Sequence, residues 1–316
     1  MPSETFDHRD IDRFAHNWAR DLPFPLATVG WLYRTSFTPA KQLDSLFDFL
    51  EVAVRLVGII NLSALRADRG IYLGARGALQ GVGDKPSVRM QMATPGTWVK
   101  LDAALASALR RLSEDQRRDL YKVERATWVE PLISRRLSAV FEDFRQARND
   151  WRAHDGATND RELDRRLAQL ENLAGQFWTL TQEVWGRWFL VRPGAGTYRR
   201  GVHVYELEIL TGERYPFRRE KAEFATNLED QNLYFWNYGA TSALHLVPLL
   251  RILPTGDDEE GCYFYDRMNS GQARWLSYHY GGSERPLEPA DPDLIEVIDD
   301  LDEPGGDGPD SVKRDG

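Results

Sequence analysis

Near Gly186 the spacing of apolar residues changes, and that change limits the chain to a helical part followed by a β-rich part. Upstream, apolar side chains recur three and four residues apart, the period of one face of a helix. Downstream they come in short aromatic and aliphatic runs separated by turn residues. The expected class is therefore α+β, with a helical domain over 1–186, a small β-rich domain over 187–282 and an acidic, mostly disordered tail over 283–316.

Ile11, Phe14 and Trp18 predict a first helix over 9–21, and 25–33 predicts a short second one. The clearest helix begins at Thr38-Pro39, a good cap followed by proline at the first helical position. Leu43, Leu46, Phe47, Leu50, Val54 and Val57 carry it to about Leu65, with an apolar face broad enough for a central element. Six glycines between 68 and 97 read as a long surface connection. No Gly-Lys-Ser/Thr follows them, so they do not form a P-loop. Helix resumes from Trp98 to Leu112. Ser113 with Gln116 three residues on predicts a capping box, and the helical pattern then continues to His154 with a break or kink at Pro131. Asn159 and Glu162 predict the next cap, opening an amphipathic helix through Leu163, Leu170, Phe177 and Val184.

Five or six strands are expected after Gly186, at 188–191, 202–210, 233–238, 244–253, 262–268 and 273–280. Beyond Gly282 one helical turn is expected, at Leu294 to Ile298. From Glu288 to the end there are eleven acids and two bases. That surplus equals the net charge of the whole chain, −9, so residues 1–287 are formally neutral. A non-specific nucleic-acid binder shows a basic surplus, so any RNA contact has to be local.

The single cysteine, Cys262, excludes a disulfide framework and a multi-cysteine zinc site, and its apolar strand context reads as packing. No His-x-x-x-His is present, so neither a metal nor a cofactor is expected. With no apolar run of membrane length and no secretory signal, the expected location is the cytoplasm.

The segment with chemical potential is Arg145-Gln-Ala-Arg148-Asn149-Asp-Trp-Arg152-Ala-His154-Asp-Gly156. Arg148 and His154 have five residues between them. Arg9 with His16 and Arg274 with His279 show similar spacings, so spacing alone discriminates little. At 148–154 alone the arginine is followed by Asn, the pair closes a long amphipathic helix, and a glycine turn with a capped helix comes next. This arrangement resembles the core of the HEPN superfamily, over roughly residues 1–186 and most strongly over 137–184. The whole chain also looks like a group of bacterial proteins pairing an Arg-Asn-x-Trp-Lys-Gly-His-like segment with aromatic C-terminal strands; here Arg152 and Ala153 replace the Lys-Gly.

The resemblance implies a HEPN-like helical bundle and a metal-independent endoribonuclease acting as a defence or toxin effector. Its catalytic residues would be Arg148, Asn149 and His154, with Arg145 and Arg152 as RNA contacts. Histidine can move a proton near neutral pH, and an always-charged guanidinium suits the phosphorane transition state. It further implies a homodimer with two motifs face to face. The alternative is a non-catalytic HEPN-like scaffold or regulatory module that binds a protein partner through its β-rich part or acidic tail. In that case Arg148, Asn149 and His154 cap and solvate a helix end. The tail is also a candidate shield for a local basic RNA site.

Overall fold

A computed structural model describes residues 22–80, 89–153, 159–255, 259–279, 283–284 and 288–302. The helix expected at 9–21 lies outside the described residues. Among those described, eight α-helices come mostly first and two antiparallel sheets follow.

Helix α1 (Phe24–Thr35) and α2 (Pro39–Arg66) begin where proline and Thr38 predict. The Thr38 hydroxyl accepts from Lys41 N at 3.3 Å. From Phe49 to Leu65 every residue of α2 is buried, so it is the axis of the molecule. The glycine-rich stretch holds a helix, α3 (Arg69–Gln80), where a surface connection is expected. Its start is capped by Asp68, which accepts from Ile71 N at 2.9 Å. Tyr72 and Leu79 are buried, whereas a Cβ at Gly74 or Gly77 would meet nothing within 4 Å. Those glycines sit on the open face, where each costs only about 1 kcal/mol of helix propensity, and apolar burial outweighs them.

Helix α4 (Pro95–Arg110) and α5 (Glu114–Tyr121) follow, and the Ser113–Gln116 capping box forms in both directions. The pattern expected to run on to His154 with a break or kink at Pro131 is broken there, and the break begins earlier, at Lys122. Lys122 adopts a left-handed conformation, and two 3-10 turns, Ala126–Trp128 and Glu130–Ile133, precede α6 (Arg135–Ala153). Proline at 131 suits the first turn of a new segment better than the interior of an old one. Asn159 caps α7 (Asp160–Trp185), accepting from Glu162 N at 2.9 Å. The Glu162 carboxylate pairs instead with Arg165 and Arg166.

The first sheet has the order β3-β2-β1-β4-β5, from β1 (Trp188–Arg199), β2 (Val202–Ile209), β3 (Arg218–Phe224), β4 (Tyr234–Asn237) and β5 (Leu244–His245). The second has the order β10-β8-β7-β6, from β6 (Leu250–Pro254), β7 (Glu260–Asn269), β8 (Gln272–Ser277) and β10 (Glu288–Pro289), with β9 (Ser283–Glu284) also on β8. Among the described residues ten strands thus stand where five or six were expected. The charged edge strand β3 has no apolar run to reveal it, and the single run at 244–253 divides between the two sheets. A bulge in β1 lies between Pro193 and Gly196, where a Cβ would come within 2.2 Å of the Tyr205 ring. Only glycine fits that approach.

One apolar core runs through both parts. Trp185 on α7 leads to Trp188 on β1, and Trp188 stacks on Phe235 at 4.9 Å. Buried Arg55 on α2 donates to Tyr265 O at 2.8 Å and to Ala93 O at 3.2 Å, and lies between the Trp98 and Tyr278 rings. Ser63 Oγ accepts from Val247 N at 2.9 Å. The acidic segment read as a mostly disordered tail is corrected over 288–302. There the one expected turn becomes α8 (Pro292–Asp302), with Leu294, Val297, Ile298 and Leu301 buried. Arg66 pairs with Glu296 and Asp300, and Asp302 accepts from Met90 N and Gln91 N at 2.5 and 2.8 Å. Composition marked these acids as solvated, but four apolar residues at helical spacing anchor them. Residues 303–316 of the expected tail lie outside the described residues.

Candidate functional site

Helix α6 buries Leu137, Val140, Phe141, Phe144, Ala147 and Trp151 along one stripe. Arg148 borders that stripe, so its guanidinium turns toward α2 rather than outward. Its Nε donates to Glu51 Oε1 at 2.7 Å, and the two side chains are only 15% and 10% exposed. The other oxygen, Glu51 Oε2, accepts from the Tyr278 hydroxyl at 2.8 Å. Three distant parts of the chain therefore meet here: α2, the motif helix and the segment after β8.

Glu51 is the inner end of an acidic row on α2. Asp44, Asp48 and Glu51 are spaced four and three apart and line one face. With Phe47, Arg148 and Arg166 they border a cleft of ≈ 470 Å³. Burial, then the negative charges of Glu51 and Asp44, push the Asp48 carboxyl up to about 7 against the opposing pull of Arg148. Trp151 closes one wall. It packs edge-on against Phe47 with centroids 5.3 Å apart, and Arg166 lies 5.2 Å from its ring. Arg166 is itself tied to Glu162 at 2.8 Å. The cleft thus carries two guanidiniums and three carboxylates, one of which titrates near neutrality.

The remaining motif residues are distributed differently. Asn149 is exposed, one residue and about 100° around the helix from Arg148. Arg145 bonds Glu142 through Nε at 2.8 Å and Nη2 at 2.5 Å, an ordinary pair one turn apart on the helix surface. Arg152 lies within α6, and its side chain is outside the described residues, as is His154 with the turn that follows it. The structure brings together Arg148, Glu51 and Tyr278 and leaves Arg145 and Asn149 outside that group.

Glu51 and Asp48 were missed by sequence reasoning although a signal existed. An acid inside Phe49-Leu50-Glu51-Val52-Ala53-Val54 interrupts an apolar run, and a charge kept there needs a partner. Tyr278 carried no local signal. The aromatic strands pack into the core: Tyr234, Phe235 and Trp236 are each under 5% exposed, as is Phe264. Cys262 is buried, and that burial pushes its thiol up. Among the described residues no group of three or more His, Cys, Asp or Glu could hold a metal ion, and no helix is long and apolar enough to cross a membrane. No protein-family model, no curated protein and no solved structure matches the chain.

Proposed function

We propose that this chain is a HEPN-like helical module that acts by binding, as a non-catalytic scaffold or regulatory element, and not by cutting RNA. The observation that carries this reading is the Glu51–Arg148 ion pair braced by Tyr278. A phosphate approaching Arg148 meets a guanidinium whose Nε already donates to a carboxylate that is hydrogen-bonded on both oxygens. The phosphate also has to sit beside Asp44 and Asp48. Like charge in a half-buried cleft opposes that strongly. The test is incubation of the full chain with single-stranded RNA in EDTA, beside His154→Ala. Intact RNA with both proteins is the expected result. Cleavage by the wild type that disappears in His154→Ala would overturn it.

A second reading, the metal-independent endoribonuclease, is favoured by one observation. Arg148 reaches an open cleft in which Asp48, with its carboxyl at about 7, is able to carry a proton without a metal. In that reading Arg148, Asn149 and His154 act on the scissile phosphate, Arg145 and Arg152 hold RNA, and two chains pair at the motif end. Cleavage lost in His154→Ala but raised in Glu51→Gln is the outcome specific to it.

A further inference from the structure

The opposite end of α6 has the inverse electrostatics. Arg110 and Arg111 end α4, Arg117 lies on α5 and Arg135 opens α6. With Ser134 and Glu130 they line an open cleft of ≈ 700 Å³. Four guanidiniums and one carboxylate line it, and buried Asp102 behind Arg110 adds a second acid.

The bonds that hold these arginines fix their positions without cancelling their charge. Arg110 Nη1 donates to Ile133 O at 2.5 Å, and Arg117 Nη1 donates to Leu112 O at 2.6 Å. Carbonyl groups orient a guanidinium but are not counter-ions. Arg117 Nη2 lies 3.3 Å from Glu130 Oε1, and Glu130 is half exposed. Arg111 and Arg135 are exposed.

Two further features raise the energy of this cleft when it is empty of anions. Burial, followed by the charge of Arg135, lowers the Arg110 guanidinium below its ordinary range against the opposing pull of Asp102, so repulsion between the two cations is only partly offset. Arg135 and Arg136 also occupy the first turn of α6, against the helix dipole. By contrast α5 and α7 open with Glu114, Asp115, Asp160 and Glu162. An anion at the start of α6 relieves both effects at once, and it meets guanidinium forks.

We propose that this cleft is a binding site for phosphate groups, carried by RNA or by a free polyphosphate. Arginine matches a phosphate's paired oxygens in geometry as well as charge, and a chain whose first 287 residues are neutral has here a local surplus. The site lies about 20 Å along α6 from Arg148, by the 1.5 Å rise per residue. It does not depend on whether the motif end cuts RNA.

The test is titration calorimetry on the full chain with two probes, inorganic tripolyphosphate and a 12-nucleotide RNA made 2′-O-methyl so that it cannot be cleaved. Both probes should bind the wild type, and less tightly at 200 mM than at 50 mM NaCl. Arg135→Gln and Arg111→Gln, both at exposed positions, should each weaken binding about tenfold, the usual scale for losing a charged hydrogen bond. Arg165→Gln, remote on α7, should leave it unchanged. Arg110→Gln is secondary, because loss of its bond to Ile133 affects folding. Tighter binding of the RNA identifies a nucleic-acid source, and tighter binding of tripolyphosphate a free one. Absence of binding by both probes, or equal binding by wild type, Arg135→Gln and Arg111→Gln, overturns the proposal.

Discussion

The two ends of α6 treat arginine in opposite ways. At the C-terminal end Arg148 receives a counter-ion from inside the protein, Glu51, and that carboxylate is held in turn by Tyr278 from beyond β8. At the N-terminal end Arg110, Arg111, Arg117 and Arg135 line one cleft with Glu130, which pairs with Arg117. A cation paired and mostly removed from water is part of the frame, because loss of either partner strands the other in a poor solvent. Cations clustered beside water keep their charge available, and their mutual repulsion is a standing cost that an anion offsets. The resemblance to a known motif pointed to the first end. Electrostatics points to the second as the place where an anionic ligand is bound.

That contrast is open to four tests, from the largest expected effect to the smallest. Arg148→Ala should destabilise the fold by about 3 kcal/mol in urea unfolding, because it leaves Glu51 buried and unpaired. Combining it with Glu51→Gln should cost clearly less than the two changes summed. Strict additivity would mean that the pair is not coupled.

Asp48→Asn should act with the opposite sign. A carboxyl at about 7 in the folded chain, against 3.8 for an unperturbed aspartate, holds its proton in the folded state while the unfolded state loses it. Stability from this group is therefore full below about pH 4, falls as pH rises toward 7 and stays low above. The substitution should flatten that slope and stabilise the protein at pH 8 by roughly 2 kcal/mol. Superimposable stability–pH curves for the two proteins would remove the acidic cleft from the account.

Tyr278→Phe should cost about 1 kcal/mol, the worth of one hydrogen bond to Glu51 with the ring's packing retained. Thermal melting resolves a change of that size, and a wild-type melting temperature would show that the brace is not formed. At the other end Arg135→Ala, measured without any anion, should shift stability by no more than about 0.5 kcal/mol and in the favourable direction, since a cation leaves the positive end of a helix. A large loss there would make Arg135 a structural residue like Arg148 and erase the contrast.

The frame of the molecule is legible in the sequence. Thr38-Pro39, Ser113 with Gln116, and Asn159 are local signals. Each sets a helix start through bonds to the residue three positions away, so no tertiary knowledge is needed. Reading failed where a local preference was overridden from outside. Gly70, Gly74 and Gly77 argue against a helix until Tyr72 and Leu79 are seen to enter the core. The acids of 288–302 argue for a solvated tail until Leu294, Val297, Ile298 and Leu301 are seen to dock. Edge strand β3, being charged, offers no pattern to read.

By itself the sequence determined the order of the parts, helices and then strands, the caps that start them, and the segment around Arg148 worth inspecting. Only the tertiary structure decided what that arginine faces. Glu51 is 97 residues from it in the chain and Tyr278 is 227 residues from Glu51. The same holds for the basic cleft, whose arginines come from the end of α4, the middle of α5 and the start of α6. Charges act through space and over a few ångströms, so a pairing between distant segments leaves no trace in local periodicity. It exists only once the core has brought those segments together.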